Sequence, residues 1–235
     1  MGRALRAARG GIVSHILNRS NGRRPLFEHP GDYQAFERVL AEAQQRPPVP
    51  LLACCIMPNH GHLVLFPPED DVLSRHVGWL TLTHAQRRHA YRHSTGSGHI
   101  YQARFKSFPV EADGHFLTVC RYVERNALRA GLVSRAEDWP WCSLGRRLGG
   151  EAEGQVLLGA WPVPRPQNWL EWVNEPQSPA EEAAVRRCVS RGQPYGRTAW
   201  VEEMVGKLGL ETTMRPQGRP KKREEAGTLF DGIGS

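Results

Sequence analysis

Two histidines and, about sixty residues further on, a tyrosine and an asparagine are the side chains of this sequence with the types and spacing to do chemistry. His60 and His62 stand two apart in Met57-Pro58-Asn59-His60-Gly61-His62-Leu63-Val64-Leu65-Phe66. On a strand, residues i and i+2 project from one face, so both imidazoles would point the same way. Two neutral imidazoles on one face of a rigid element supply half of a divalent-metal site. The same spacing also fits two inert, partly exposed strand histidines, so the pair needs partners. Tyr122 and Asn126 are four apart, which on a helix places one above the other. A phenol, with a pKa of about 10, is a poor nucleophile at neutral pH. A divalent ion beside it helps mainly by polarising a scissile phosphate. Three protein ligands, His60, His62 and the amide oxygen of Asn126, would leave open positions for that.

The surrounding pattern predicts elements able to bring these residues together. Residues 51–57 and 63–66 are apolar runs of strand length joined by the tight connection 58–61, so they should pair antiparallel. Residues 12–18 read as a first strand, followed by a basic turn over 19–24. A helix is predicted from Asp32, because Tyr33, Phe36, Val39, Leu40 and Ala43 recur at helical spacing, and Pro47, Pro48 and Pro50 stop it. A second helix is predicted over 74–91, with Ser74 as N-cap and Val77, Leu80, Thr81 and Ala85 facing inward. Residues 101–110 fit a fourth strand, with Arg104 and Lys106 on an exposed face. The helix predicted over 113–130 carries Phe116, Val119, Cys120, Val123, Ala127 and Ala130 as one apolar stripe, with Tyr122 and Asn126 on a flank well away from it. This order predicts an α+β fold, a ferredoxin-like sandwich with a mainly antiparallel sheet. Residues 1–145 would form it. Residues 146–235 would follow as an irregular, partly helical C-terminal extension with short helices over 179–188 and 200–208 and a basic tail.

Charge points to the partner. The chain has 235 residues, with 31 Lys and Arg against 24 Asp and Glu, and Arg dominates the cations. The planar guanidinium fork binds phosphate bidentately, which favours nucleic acid. Candidate DNA contacts are Arg87 and Arg88 at the cationic end of the second helix, Arg104 and Lys106 on the fourth strand, and Arg125 and Arg129 on the tyrosine helix. Arg219, Lys221 and Lys222 belong to a Gly-Arg-Pro-centred tail of the kind that can enter a narrow minor groove. The five cysteines are odd in number and form no C-x-x-C pair, so reduced thiols and a cytoplasmic location are expected. Apolar runs fall well short of 18 residues, and the N-terminal Arg3, Arg6 and Arg9 lead into no apolar signal segment, so neither a membrane span nor a secretory signal is expected.

Three linked stretches carry a resemblance. Met57 to Val64, Gly98-His99-Ile100-Tyr101-Gln102-Ala103-Arg104-Phe105-Lys106-Ser107, and Arg121-Tyr122-Val123-Glu124-Arg125-Asn126-Ala127-Leu128-Arg129-Ala130-Gly131-Leu132-Val133 resemble the REP-associated tyrosine transposases, within the single-tyrosine HUH superfamily. The likeness spans roughly residues 10 to 145, and the Gly-Arg-Pro-Lys region resembles the end of the same proteins. It implies a nuclease and strand transferase acting on single-stranded DNA near palindromic hairpins, with Mg²⁺ or Mn²⁺ as cofactor. It further implies His60 and His62 as metal ligands, Asn126 as the third, and Tyr122 as the nucleophile that forms a 5′-phosphotyrosine and frees a 3′-hydroxyl. Such a protein could act as a monomer or a homodimer. Two positions depart from the family: Gly61 replaces a residue that is often bulky and apolar, and Ala127 follows Asn126 where proline is usual, which should let the helix continue. The competing reading is a domesticated, sequence-specific DNA-hairpin-binding protein without turnover. A longer replication-initiating nuclease and a water-using metallohydrolase fit less well, the first for lack of a helicase region and the second for lack of zincin spacing.

Overall fold

In the computed structural model, residues 9–149 and 156–215 are described. The tail cations Arg219, Lys221 and Lys222 lie outside them. Strand β1 (Val13–Arg19) leads through a short 3-10 turn to α1 (Pro30–Gln44), and β2 (Leu51–Met57) and β3 (His60–Leu65) follow as a hairpin. Helix α2 (Val72–Tyr91), β4 (Lys106–Val110), α3 (Gly114–Glu124) and the single turn α4 (Asn126–Arg129) complete the first part. The strands run in the order β2-β3-β1-β4, and every neighbouring pair is antiparallel. That is the ferredoxin-like arrangement expected for two β-α-β crossovers around a hairpin.

Side-chain alternation divides the sheet into two faces. One face presents Ile16, Cys54, Ile56, Leu63 and Leu65 to α1 and α2, whose Phe36, Leu40, Val77 and Leu80 fill that core. The other presents Val13, Cys55, Val64, Phe108 and Val110 to the stripe Phe116, Val119, Cys120 and Val123 of α3. The tyrosine helix therefore adds a third layer on the face that a plain ferredoxin-like sandwich leaves open.

The C-terminal part contains α5 (Ser143–Gly149), α6 (Trp169–Asn174), α7 (Pro179–Arg191), α8 (Thr198–Leu208) and α9 (Glu211–Met214). Trp169, Val173, Val185 and Cys188 are buried in the α3 core. Short segments also shield both edges of the sheet. Tyr195 N donates to Pro109 O at 2.8 Å beside β4, while Ile56 N donates to Trp141 O and Gly159 N to Leu51 O beside β2. Edges covered in this way offer no template for pairing with another chain. All five cysteines are buried free thiols.

Several boundaries differ from the sequence pattern. Strand β4 is limited to Lys106–Val110; before it the pairing continues only as an isolated antiparallel bridge between Ser20 and Tyr101, whose hydroxyl meets His84 Nδ1 at 2.7 Å. Helix α2 starts two residues early, after Asp71 in a left-handed conformation (φ 62°), so Ser74 is not its cap. Its inward face carries His76 and His84, where the pattern placed Thr81 and Ala85. The helix predicted over 113–130 is interrupted at Arg125 (φ −82°, ψ −1°) even though Ala127 replaces the family's proline.

The buried imidazoles make stability depend on pH. Burial lowers the His76 pKa to about 4, and burial followed by the Arg88 charge does the same for His84. The unfolded chain takes up protons near the ordinary value of about 6.5, whereas the folded protein resists until about 4. Between these values the unfolded state binds more protons, so stability falls as pH falls. Urea unfolding from pH 6.5 to 4.5 should show this loss. His84→Gln should flatten the slope by about 1.4 kcal/mol per pH unit, the contribution of one titrating group. An unaltered slope in that variant would show that His84 is protonated in the folded state.

Candidate active site

The site begins with the register of β3. His60 lies opposite Arg19 and Met57, and His62 lies opposite Leu17 and Cys55, so both histidines share the α3 face. Their ring centroids are 5.0 Å apart. Gly61 points to the other face, and the ladder runs through it unbroken, pairing it with Asn18 and Ile56. Glycine at this point leaves the strand regular, and both rings share one direction.

Each imidazole has one nitrogen engaged. His60 Nδ1 lies 2.6 Å from Asn59 Oδ1, while Asn59 Nδ2 donates to Arg23 O at 3.2 Å. The amide oxygen only accepts, so His60 carries its proton on Nδ1 and keeps a lone pair on Nε2. His62 Nδ1 meets His15 Nε2 at 2.8 Å. Burial, reinforced by the Arg19 and Arg129 charges, lowers the His60 pKa to about 4. Burial is also the main cause that holds His62 well below its ordinary value, followed by His15 and His60. Both are therefore neutral at physiological pH, the form in which imidazole binds a metal.

Helix α3 brings the second half. Tyr122 is 6% exposed and Asn126 5%, so neither stands clear of the core as the helical pattern suggested. At about 100° per residue Tyr122 is only roughly 60° from Val119, and the flank it occupies faces the sheet. The Tyr122 ring centroid is 5.9 Å from that of His62, in an edge-to-face arrangement. The Arg129 guanidinium carbon lies 4.0 Å over the same ring, and its Nη2 donates to Asn126 Oδ1 at 2.9 Å. That oxygen has a second lone pair, whereas Asn126 Nδ2 is buried with no partner among the described residues. The His60 Nε2 lone pair, the His62 ring and the Tyr122 ring therefore lie at one end of the sheet, with the Asn126 amide tied to them through Arg129. Imidazole nitrogens and an amide oxygen are donors of a kind that suits a divalent ion.

The predicted cations separate into two groups. Arg129 belongs to the site, and Arg125 lies beside it with Nε donating to Glu175 O at 2.8 Å. Lys106 and Arg104 are exposed, and Lys106 shares the His62 row of the sheet through Leu17. Arg87 and Arg88 lie on α2, in the opposite layer. Arg87 forms a two-pronged ion pair with Glu42 at 2.6 and 2.8 Å, and Arg88 Nε donates to Leu26 O at 3.3 Å. Arg88 also lines a cavity of about 580 Å³ together with Arg24, His89, Arg92 and His99.

Sequence reasoning did not identify His15 or Arg19. A strand drawn one residue longer would have placed Arg19 on the His face, since residues 13, 15, 17 and 19 alternate onto it. Among the described residues, Glu111, Asp113 and His115 also have metal-ligand chemistry. Both Glu111 oxygens are already taken by Arg197, at 2.7 Å from its backbone N and 2.5 to 2.8 Å from its side chain, which clamps the start of α8 to the end of β4.

A ferredoxin-like sheet with paired histidines at the head of a central strand, and a Tyr-x-x-x-Asn element packed against that face, is the α+β arrangement of an HUH transposase. Residues 10–126 match the family described as "Transposase IS200 like", and the chain belongs to that family, whose members are enzymes of the nuclease and transposase kind. The chain is 24% identical over 157 residues to the REP-associated tyrosine transposase of Escherichia coli (strain K12), a match covering 66% of this chain and 84% of that protein. It also superposes on a solved REP-associated tyrosine transposase bound to a REP hairpin, with a TM-score of 0.52, 20% identity, and coverage of 71% of this chain and 100% of the other.

Gly61 offers a direct test of the strand. A Cβ there would meet only Ile56 Cδ1, at 3.3 Å, the movable end of a side chain. Gly61→Ala should keep stability within about 1 kcal/mol of the parent, since lost unfolded-state entropy offsets a small displacement of Ile56. It should leave Mn²⁺ affinity unchanged, because the new methyl group faces away from the histidines. Urea unfolding and Mn²⁺ titration check both; a loss beyond about 2 kcal/mol would indicate a tighter backbone approach than this one.

Proposed function

We propose that this chain is a metal-dependent single-stranded DNA endonuclease and strand transferase that cleaves near palindromic hairpins. The observation that carries the reading is that His60 and His62 share one face of the sheet with the Tyr122 ring, some sixty residues further along the chain, to which Asn126 is tied through Arg129. Tyr122 is the nucleophile: its oxygen bonds to a backbone phosphorus as the bond from phosphorus to the 3′ oxygen breaks. The phenol loses its proton, and the departing oxygen gains one as a free 3′-hydroxyl. The product is a 5′-phosphotyrosine, which that hydroxyl or one from another strand can resolve. His60, His62 and Asn126 would hold Mg²⁺ or Mn²⁺, which when bound supplies Lewis-acid polarisation of the phosphate.

The protein's own residues have separate tasks. Arg129, stacked on Tyr122, presents a buried Nη1 with no partner among the described residues, suited to a phosphate oxygen. Arg19, whose Nε is likewise buried without such a partner, stands beside His60 and adds positive potential where the phosphate enters. Arg104, Lys106 and Arg125 carry the flanking strand, with Arg87, Arg88 and the tail residues Arg219, Lys221 and Lys222 as more distant DNA contacts. Hairpin DNA is the proposed partner because the solved relative is bound to one. Residues 1–145 would form the catalytic unit and 146–235 its brace and tail, acting in the cytoplasm, where five buried thiols stay reduced. No described helix is long and apolar enough to cross a membrane.

Labelled hairpin DNA with a single-stranded flank, incubated with Mn²⁺, should yield a covalent protein–DNA adduct on a denaturing gel. Tyr122→Phe should abolish the adduct while hairpin binding survives; an adduct persisting in that variant would remove Tyr122 as nucleophile. Asn126→Ala should weaken Mn²⁺ affinity by about 10–100-fold, as loss of metal-site support generally does. Binding by the parent protein without any adduct would instead favour the non-cleaving hairpin binder.

A further inference from the structure

His15 has no part in the proposed chemistry, yet it occupies the middle of the sheet. It lies on β1 opposite Val64 and Phe108 and is 1% exposed. Its ring is 4.7 Å from Phe108 and 5.0 Å from His62, centroid to centroid. An aliphatic side chain would pack there without bringing polar atoms into the core, which are costly when unpaired. His15 Nδ1 is such an atom: it is buried with no hydrogen-bond partner among the described residues. Its Nε2 makes one contact, to His62 Nδ1 at 2.8 Å. The histidine is therefore explained by what it does to His62.

Two neutral imidazoles meeting nitrogen to nitrogen need one donor and one acceptor. If His15 donates, the His62 proton sits on Nε2 and that nitrogen cannot ligate. If His15 accepts, the His62 proton sits on Nδ1 and the Nε2 lone pair is free toward His60 and Asn126. Metal-binding histidines generally donate their second nitrogen to a carboxylate, a carbonyl or water, which fixes both tautomer and ring direction. Here a second imidazole stands where those acceptors usually stand.

We infer that His15 is a positioning residue, whose Nε2 accepts from His62 Nδ1 and so fixes the tautomer and orientation in which His62 Nε2 binds the divalent ion. This rests on the metal site proposed above. It also gives His60 and His62 different supports, the first a flanking amide on the β2–β3 turn and the second an imidazole from the neighbouring strand. The site is then tied to β1 as well as to β3.

The test uses the full chain without DNA, with Mn²⁺ affinity read from the electron paramagnetic resonance signal of free aquo-Mn²⁺. His15→Leu, which removes the acceptor but keeps an apolar filling, should bind Mn²⁺ about 10–100-fold more weakly. His15→Gln, whose side-chain oxygen can reach the place of Nε2, should recover affinity to within roughly threefold of the parent. Hairpin binding in EDTA should be the same in all three proteins, a control that a merely misfolded variant would fail. Parent-like affinity in His15→Leu overturns the inference. Equal weakness of the Leu and Gln variants, with hairpin binding kept, overturns the hydrogen-bond role in favour of packing. His60→Ala and His62→Ala separate the two levels: parent-like Mn²⁺ affinity in both would overturn the metal site itself, whereas weak binding there with normal binding in His15→Leu overturns only the role of His15.

Discussion

The register of β3 between β1 and β2 is the constraint on which the rest of the site depends. Side chains alternate with a period of two, so a slip of one residue would turn His60 and His62 toward α1 and α2 and bring Gly61, Leu63 and Leu65 to the tyrosine helix. The sheet opposes that slip with two cores of different shape. Leu63 and Leu65 are buried among Ile16, Leu40 and Val77, while Val64 is buried among Val119, Phe116 and Phe108. Exchanging the faces would place two buried imidazoles in the first core and leave aliphatic side chains at the mouth of the site. The apolar half of the strand thus aims the polar half.

Burial gives the aimed histidines their chemistry. An exposed imidazole titrates near neutrality and competes for protons with any metal. Here burial, followed by the charges of Arg19 and Arg129, moves the His60 pKa down to about 4, and His62 lies well below its ordinary value from burial and from its neighbours His15 and His60. The same two arginines that disfavour a proton on the histidines create a positive field suited to a phosphate. These charges therefore add to burial in keeping the two imidazoles neutral, and under the proposed function they would also attract a phosphate.

Much of the fold was legible because its signals are local. The run Leu51–Met57 ends where the pattern ends it, and Pro58-Asn59 marks the hairpin that follows. The pairing of His60 and His62 also follows from a period of two, as does the stripe from Phe116 to Ala127 from a period of 3.6. What escaped is tertiary. His15 reads as one polar interruption in an apolar strand until β3 is laid beside it. Tyr122 reads as peripheral until the sheet is seen to cover the flank of its helix. Arg87 reads as a free cation until α1 supplies Glu42. The edge coverings near Trp141, Gly159 and Tyr195 depend on irregular backbone that carries no periodic signal.

The interruption at Arg125 shows how the C-terminal part enters the chemistry. Family proteins usually have proline after the asparagine, yet here, with Ala127, the helix still departs from regular geometry one residue before Asn126. Proline is thus not required for the bend. The side chains around it are held from outside the sheet: both Glu124 oxygens accept, from Ser143 Oγ at 2.5 Å and Trp169 Nε1 at 2.8 Å, while Arg121 donates to Trp172 O and Glu175 O, and Arg125 to Glu175 O. Glu124 is fully buried, and burial raises its pKa, so the two bonds to its carboxylate are made where an unpaired group would be costly. Turning the helix to straighten it would break several of them together. The extension therefore braces the turn that offsets Asn126 from Tyr122, and the placement of the phenol and the amide depends on these C-terminal segments as well as on the sheet.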